Sequence, residues 1–267
     1  MITGIDHIVI ISADLEQAIA DASKAGFVVT PGGTHKDGAT HNALVAFQDG
    51  SYIELIAPTN GIDGNSHRWF PRLAKGGGLV DLCLASDDLE ADTARIREQG
   101  RHYTGPEENG RHRPDGVQLR WKGSMPPGTV GETGWPFLIE DVTPRENRVS
   151  TDSADTTHEN GALGVAGVTI HTHDLSTAAA DFAAITGHEA APVTSPMDDS
   201  PLAAFINFDN SWLMLTHPTA GAAIQHLERF GPGPYAATLR THEGPITPGT
   251  GKSIPAELLS GAVFELV

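Results

Sequence analysis

Apolar positions along the chain come in short blocks. The first, Ile5-Asp6-His7-Ile8-Val9-Ile10-Ile11, is rich in β-branched side chains and reads as a strand buried on both faces. Behind it Leu15, Ala18, Ile19 and Ala22 share one face of a helix. Asp14 is placed to cap that helix by accepting a free amide of its first turn, and Gly26 to end it. Phe27-Val28-Val29 should start a second strand. After a loop over Pro31–Thr40, strands are expected at Ala43–Phe47 and Ser51–Ile56, joined by a turn at Asp49-Gly50.

This order of strand, helix and three strands then comes back. Leu79–Ala85, Asp88-Leu89, a helix and Gly100 restate it, with later strands at Val117–Trp121 and Pro136–Ile139. Ala166–His171, Asp174-Leu175, a helix and Gly187 restate it again, with strands at Leu202–Phe208 and Ser211–Thr216. A longer period lies over the shorter one: Asp14 and Asp174, Ser51 and Ser211, and Phe70 and Phe230 are each 160 residues apart. The chain therefore reads as a duplicated pair, and repetition of this kind constrains architecture more than local propensity does. Helices at Ser66–Lys75 and Ala220–Phe230 lead from each fourth strand into the next copy. The last copy shortens to Tyr235–Thr241 and a closing strand Gly261–Val267. The polar stretch Arg145–Asn160 reads as a linker, dividing a first module pair (1–145) from a second (161–267). Gly105–Asp115 and Glu243–Ser253 read as long polar loops.

Composition narrows the function. A formal charge of −17 argues against nucleic acid or an anionic membrane surface as partner. No apolar run approaches the length of a membrane span, and Met1 leads directly into a strand without a secretory signal, so cytoplasmic residence is expected. Cys83, the single cysteine, lies in Leu82-Cys83-Leu84 and reads as a buried inert thiol. Of the 13 histidines most are expected at the surface, His158 among them. There is no Gly-x-Ser-x-Gly, no Cys-x-x-Cys and no phosphate loop. Gly76-Gly77-Gly78 follows a helix and serves as a stop.

Two polar side chains interrupt apolar strands, His7 in the first and Glu54 in Tyr52-Ile53-Glu54-Leu55-Ile56. Repeated modules with histidine in the first strand and glutamate in the fourth resemble the vicinal oxygen chelate superfamily of glyoxalases, bleomycin resistance proteins and extradiol dioxygenases. More narrowly, Gly32-Gly33-Thr34-His35, Gly38, Thr40 and Asn42, followed by Tyr52-Ile53-Glu54, resemble the glyoxalase-like domain subfamily. The resemblance implies an α+β fold in which βαβββ modules, three full copies and a shortened fourth, pair into half-barrels of curved mixed sheet. It also implies a divalent metal in the cup, held by the first and fourth strands of both modules.

Carried over by position, His7 and Glu54 match the ligands of the first module. At the position of His7 stand Asp81, Gly167 and Ala236, and at that of Glu54 stand Leu138, Met214 and Glu265. The expected metal set is thus His7, Glu54 and Asp81, with Mn, Fe(II), Ni, Zn or Mg as the ion. His35 and His41 are the replacements should Asp81 turn away. His41, His35, Asn42, Arg120 and Trp69, with Arg72 and Trp121, are candidates to line a substrate cavity, although Asn42 and Thr40 equally suit holding their own loop. His171 and His173 face one side of a strand but miss the ligand register.

The function implied is a metal-dependent enzyme on a small oxygenated organic molecule, of lyase or isomerase type ahead of ring-cleaving dioxygenase, with Glu54 as base and His7 beside it. The alternative is a metal-free protein that sequesters a drug or metabolite, as a monomer or homodimer. The ligand positions of the second pair are degenerate, and a third possibility is that function has given way to a structural role.

Overall fold

A computed structural model describes residues 1–62, 67–113, 116–197, 201–242 and 244–267. The first half runs β1 (Ile2–Ile11), α1 (Leu15–Lys24), β2 (Thr30–His35), β3 (Thr40–Ala46), β4 (Tyr52–Pro58), α2 (Phe70–Leu73), β5 (Gly78–Ser86), α3 (Leu89–Glu98), β6 (Thr104–His112), β7 (Gln118–Met125) and β8 (Phe137–Asp141). Two short helices follow, α4 (Arg145–Arg148) and α5 (Ser153–Thr156). The second half comprises β9 (Gly164–His171), α6 (Leu175–Thr186), β10 (Ala191–Thr194), β11 (Pro201–Asn207), β12 (Trp212–Thr216), α7 (Gly221–Phe230), β13 (Gly233–Arg240), β14 (Lys252–Ile254) and β15 (Val263–Leu266).

The helix starts follow the sequence. Asp14 accepts from the Gln17 amide, Asp88 from Ala91, and Asp174 from Ser176 and Thr177. Each contact satisfies an amide that has no partner within its helix, typically worth about 1 kcal/mol.

In the first half the strands close into a barrel, in the order β1-β4-β3-β2-β6-β7-β8-β5. β1 lies parallel to β4 and antiparallel to β5. Across the barrel β2 and β6 pair through Thr34 with His112 and His35 with Arg111. That second seam corrects two expectations. The loop placed at 31–40 contains β2, which begins at Thr30 rather than Phe27, and the polar loop placed at Gly105–Asp115 is mostly β6; Asp115 lies outside the described residues. Their compositions, Thr-Pro-Gly-Gly-Thr-His and Thr-Gly-Pro-Glu-Glu-Asn-Gly-Arg-His, are poor for strands. Pairing with β3 and β7 overrides propensity here.

The second half is an open sheet, β10-β11-β12-β9-β13-β15-β14, whose short outer strands do not meet. β14 ends the stretch read as a loop at Glu243–Ser253, of which Glu243 lies outside the described residues, and β10 was not foreseen. Of the helix expected over Ser66–Lys75 only Phe70–Leu73 forms; Ser66 lies outside the described residues.

The halves share one continuous core that includes Ile8, Ile10, Leu55 and Leu82 with Val168, Leu213, Leu239 and Phe264. Burying each of these side chains contributes roughly 1.5–3 kcal/mol. Positions 160 apart make matching contacts between the halves: the Val165 amide donates to Ser51 Oγ at 2.9 Å, and the Ile5 amide to Ser211 Oγ at 3.4 Å.

Residues 145–160, expected as a linker, carry α4 and α5 and bury Arg148, Val149, Thr156 and His158. His158 is therefore not a surface residue. Its Nδ1 accepts from the Val28 amide at 3.0 Å, its Nε2 donates to the Ala46 carbonyl at 2.9 Å, and burial lowers its pKa. Among the described residues no helix is long and apolar enough to cross a membrane.

Candidate active site in the barrel

The barrel encloses a cavity of about 180 Å³. β1 brings His7 to it, β4 brings Tyr52 and Glu54, β3 brings Thr40, Asn42 and Leu44, and β2 brings His35. Strand alternation decides which neighbours are included. His41, between Thr40 and Asn42, faces away from the cavity, and so does Arg120, an exposed residue that pairs with Glu108 at 3.2 Å. Trp121, the residue after Arg120, points in, as does Trp69. Arg72 donates to the Gly77 carbonyl and packs on Phe230, outside the cavity.

His7 is almost fully buried and held on three sides. Its Nδ1 lies 2.6 Å from Asp6 Oδ1, and its ring stacks on Tyr52 with 4.4 Å between centroids and meets the edge of Phe137. A register shift between Ile5 and His7 in the β1–β5 pairing accompanies the contact between these adjacent residues. Asp6 is in turn clamped by Arg148 and Arg145, which also bind Asp141. Burial pushes the Asp6 carboxyl up, but Arg148, the His7 hydrogen bond and Arg145 together hold it well below the usual range.

With Nδ1 occupied, His7 turns Nε2 toward Glu54 Oε2 at 3.6 Å. The other oxygen, Oε1, lies 3.5 Å from His35 Nε2 and accepts from Asn42 Nδ2 at 2.5 Å. His35 is oriented by Thr40, whose hydroxyl lies 2.8 Å from its Nδ1. Thr40 and Asn42 thus act on the side chains of the cup rather than on their own loop. A Cβ at Gly32 would overlap the Asn42 amide oxygen, so only glycine leaves room for that amide there. Burial raises the Glu54 carboxyl, but His35, His7 and the Asn42 amide outweigh it and hold it at about 2. Glu54 is thus held as a carboxylate in the cup.

Asp81 does not join the cup. Its Oδ2 takes the Trp69 indole N–H at 2.7 Å and lies 3.1 Å from Arg68, and its Oδ1 accepts from the Leu82 amide. Asp81 and Arg68 line a small separate cavity with Val80 and Trp135. Strand pairing relates His7 to Asp81, as expected, because His7 pairs with Cys83 and Val9 with Asp81. It also moves one assignment: Val9 pairs with Glu54 and Cys83 with Phe137, so Phe137, not Leu138, occupies the position of Glu54.

The donor chemistry of His7, His35 and Glu54 fits a divalent ion. Each imidazole has Nδ1 held by a second partner and Nε2 directed at one carboxylate, the usual support for a ligating histidine. The three donor atoms are not all within 4.8 Å of one another. Among the described residues Asp6, His7 and Cys83 do meet that spacing. That group suits a metal poorly, because Asp6 is engaged by two arginines and burial keeps the Cys83 thiol protonated. Sequence reasoning missed Arg111, Arg148 and Asp6; the first two lay in stretches read as loop and linker.

The two paired modules around one cup define the fold of the vicinal oxygen chelate superfamily. The chain belongs to the glyoxalase-like domain family, whose sequence profile matches residues 5–186. Its fold is similar to that of a hypothetical protein from Staphylococcus aureus (14% identity, TM-score 0.72, 98% of each chain covered). It is similar over 91% of its length to a triple mutant of 4-hydroxymandelate synthase from Streptomyces coelicolor, covering 72% of that chain (15% identity, TM-score 0.55). The same share resembles 37% of a xylose isomerase-like TIM barrel/4-hydroxyphenylpyruvate dioxygenase fusion protein (16% identity, TM-score 0.55). No curated protein sequence matches the chain.

Proposed function

We propose that the barrel is the site of a metal-dependent enzyme that acts on a small oxygenated organic molecule, with the ion held by His7, Glu54 and His35. One observation carries this reading. Asp6 occupies Nδ1 of His7, which leaves Nε2 turned to the Glu54 carboxylate 3.6 Å away. Two electron-rich atoms that close in a buried site repel each other unless a positive charge lies between them. His35 brings a second Nε2 to the same carboxylate, which makes a divalent ion a better occupant than a lone proton.

Two imidazoles and a carboxylate suit Mn, Fe(II), Ni or Zn better than Mg, which prefers oxygen ligands. When bound, the ion supplies a Lewis acid that stabilises an oxyanion on the substrate. The chain's own residues do the rest: Asp6 fixes the His7 ring, Thr40 fixes His35, Asn42 fixes Glu54, and Trp69, Trp121 and Phe137 exclude water. With His35 in place of Asp81, the donor set matches that of non-haem Fe(II) oxygenases. Oxygenase chemistry then stands level with lyase or isomerase chemistry.

Elemental analysis of protein purified without added metal or chelator, beside a His7→Ala, Glu54→Ala double variant, tests the reading. Near-stoichiometric Mn, Fe, Ni or Zn in the parent and its loss in the variant are expected. A parent that holds no metal even after incubation with excess divalent ions overturns the metal-dependent reading and leaves sequestration of a small molecule in the cup.

A further inference from the structure

The cations lining the cavity differ in how they are neutralised. Arg148 is bound by Asp6 and Asp141, and Lys36 is exposed at the rim. Arg111 is neither. It projects from β6 with 4% of its surface exposed, and its guanidinium donates to two backbone carbonyls, those of Gly32 and of Arg148 (3.1 Å). No carboxylate of the described residues forms an ion pair with it. Two of its five N–H donors are thereby used, and the side chain borders the open cavity. Carbonyls satisfy hydrogen bonds but do not cancel charge, and a buried cation without a counter-charge is costly. Glu54 does not take this part, being engaged by His35, His7 and Asn42.

The rest of the lining mixes polar side chains, among them Asp37, Tyr52 and Asn109, with an apolar group. That group comprises Leu44, Trp69, Trp121, Met125, Phe137, Leu138 and Ile139, which line the same cavity as Arg111 and the imidazoles. A ligand that complements it needs an apolar body and one anionic group.

We propose that the cup binds a small organic acid, its carboxylate seated on the Arg111 guanidinium and its body against Trp121, Phe137 and Leu44. A planar fork of donors matches a carboxylate in a way that an ammonium does not. This deepens the reading above by naming a substrate class, and it rests on that reading only for the claim that the bound acid is then transformed.

The test compares phenylacetate with phenylacetamide, which has the same shape without the charge, by quenching of tryptophan fluorescence and by calorimetry. The parent is expected to bind the acid about tenfold more tightly than the amide or better, a difference of about 1.4 kcal/mol. Arg111→Gln should bring the two to parity, Arg111→Lys should keep part of the preference, and Arg120→Gln, outside the cavity, should keep it in full. The contrast within the parent does not depend on how any variant folds. Equal binding of acid and amide, no binding of the acid up to its solubility, or a preference that survives in a folded Arg111→Gln variant would overturn the proposal. A parent that prefers the acid but holds no metal would leave this inference standing and remove the metal-dependent enzyme.

Discussion

The two halves of the chain begin with the same order of elements and end with different contents. In the barrel, His7 stands on β1 beside Tyr52, whose ring stacks on it; in the open sheet Gly167 stands on β9 beside Trp212. A Cβ at Gly167 would fall about 2.1 Å from the Trp212 indole, so that indole fills the space an imidazole takes in the other half. Glu265, at the position of Glu54, is also spent locally, accepting from Thr238 Oγ1 and from the amides of Gly249 and Gly251. Where Asp6 anchors two arginines below the barrel cup, the second half has Ala166. One cup is held open by buried polar contacts, and in the other an indole takes the matching space.

Making the barrel resemble the sheet should have the largest effect. Asp6→Ala leaves Arg148, almost fully buried, without half of its counter-charge, and breaking such a cluster typically costs about 3–5 kcal/mol. Urea denaturation would measure it, and a loss below about 1 kcal/mol would show that the arginines find other partners. The converse change, Gly167→His, forces a side chain into the Trp212 ring and should cost about 3 kcal/mol. Metal content and cavity binding in the barrel should not change with it, and if they do, the halves are coupled through their shared core.

Smaller effects follow from single buried contacts. Folded His158 has a lowered pKa and unfolded His158 an ordinary one near 6.5. Its contribution is therefore complete above about pH 6.5 and is lost as pH falls through the folded value. A melting series below neutrality should show that slope in the parent and a flatter one in His158→Gln. Weakest of all, Glu265→Gln should cost about 1 kcal/mol and speed amide exchange at Gly249 and Gly251 without touching exchange in β1 or β4.

How much of this was legible varies with where the information sits. The three aspartate caps and the first strands of each copy are local or periodic signals that the sequence carries directly, whereas the matching of His7 with Glu54 comes from the family resemblance. β2 and β6 are specified by barrel closure rather than by their own residues, which are rich in glycine, proline and charge. Asp81 shared the expected register with His7, yet Trp69 and Arg68, more than ten residues away in the chain, capture its carboxylate. Arg148 and Arg111 sat in stretches whose polarity suggested solvent. In both cases the polarity serves buried ion pairs and a cavity wall, which only the tertiary fold assembles.

A metal ion in the barrel cup would sit on Nε2 of His7, between the imidazole and Glu54. Nitrogen-15 NMR of the His7 ring, with Glu54→Gln as reference, reads this directly. A proton on Nδ1 and a metal-bound Nε2 are expected in the parent, with the metal signature changed in the variant. An Nε2 that is bare, or that carries only a proton, beside Glu54 would contradict the metal site.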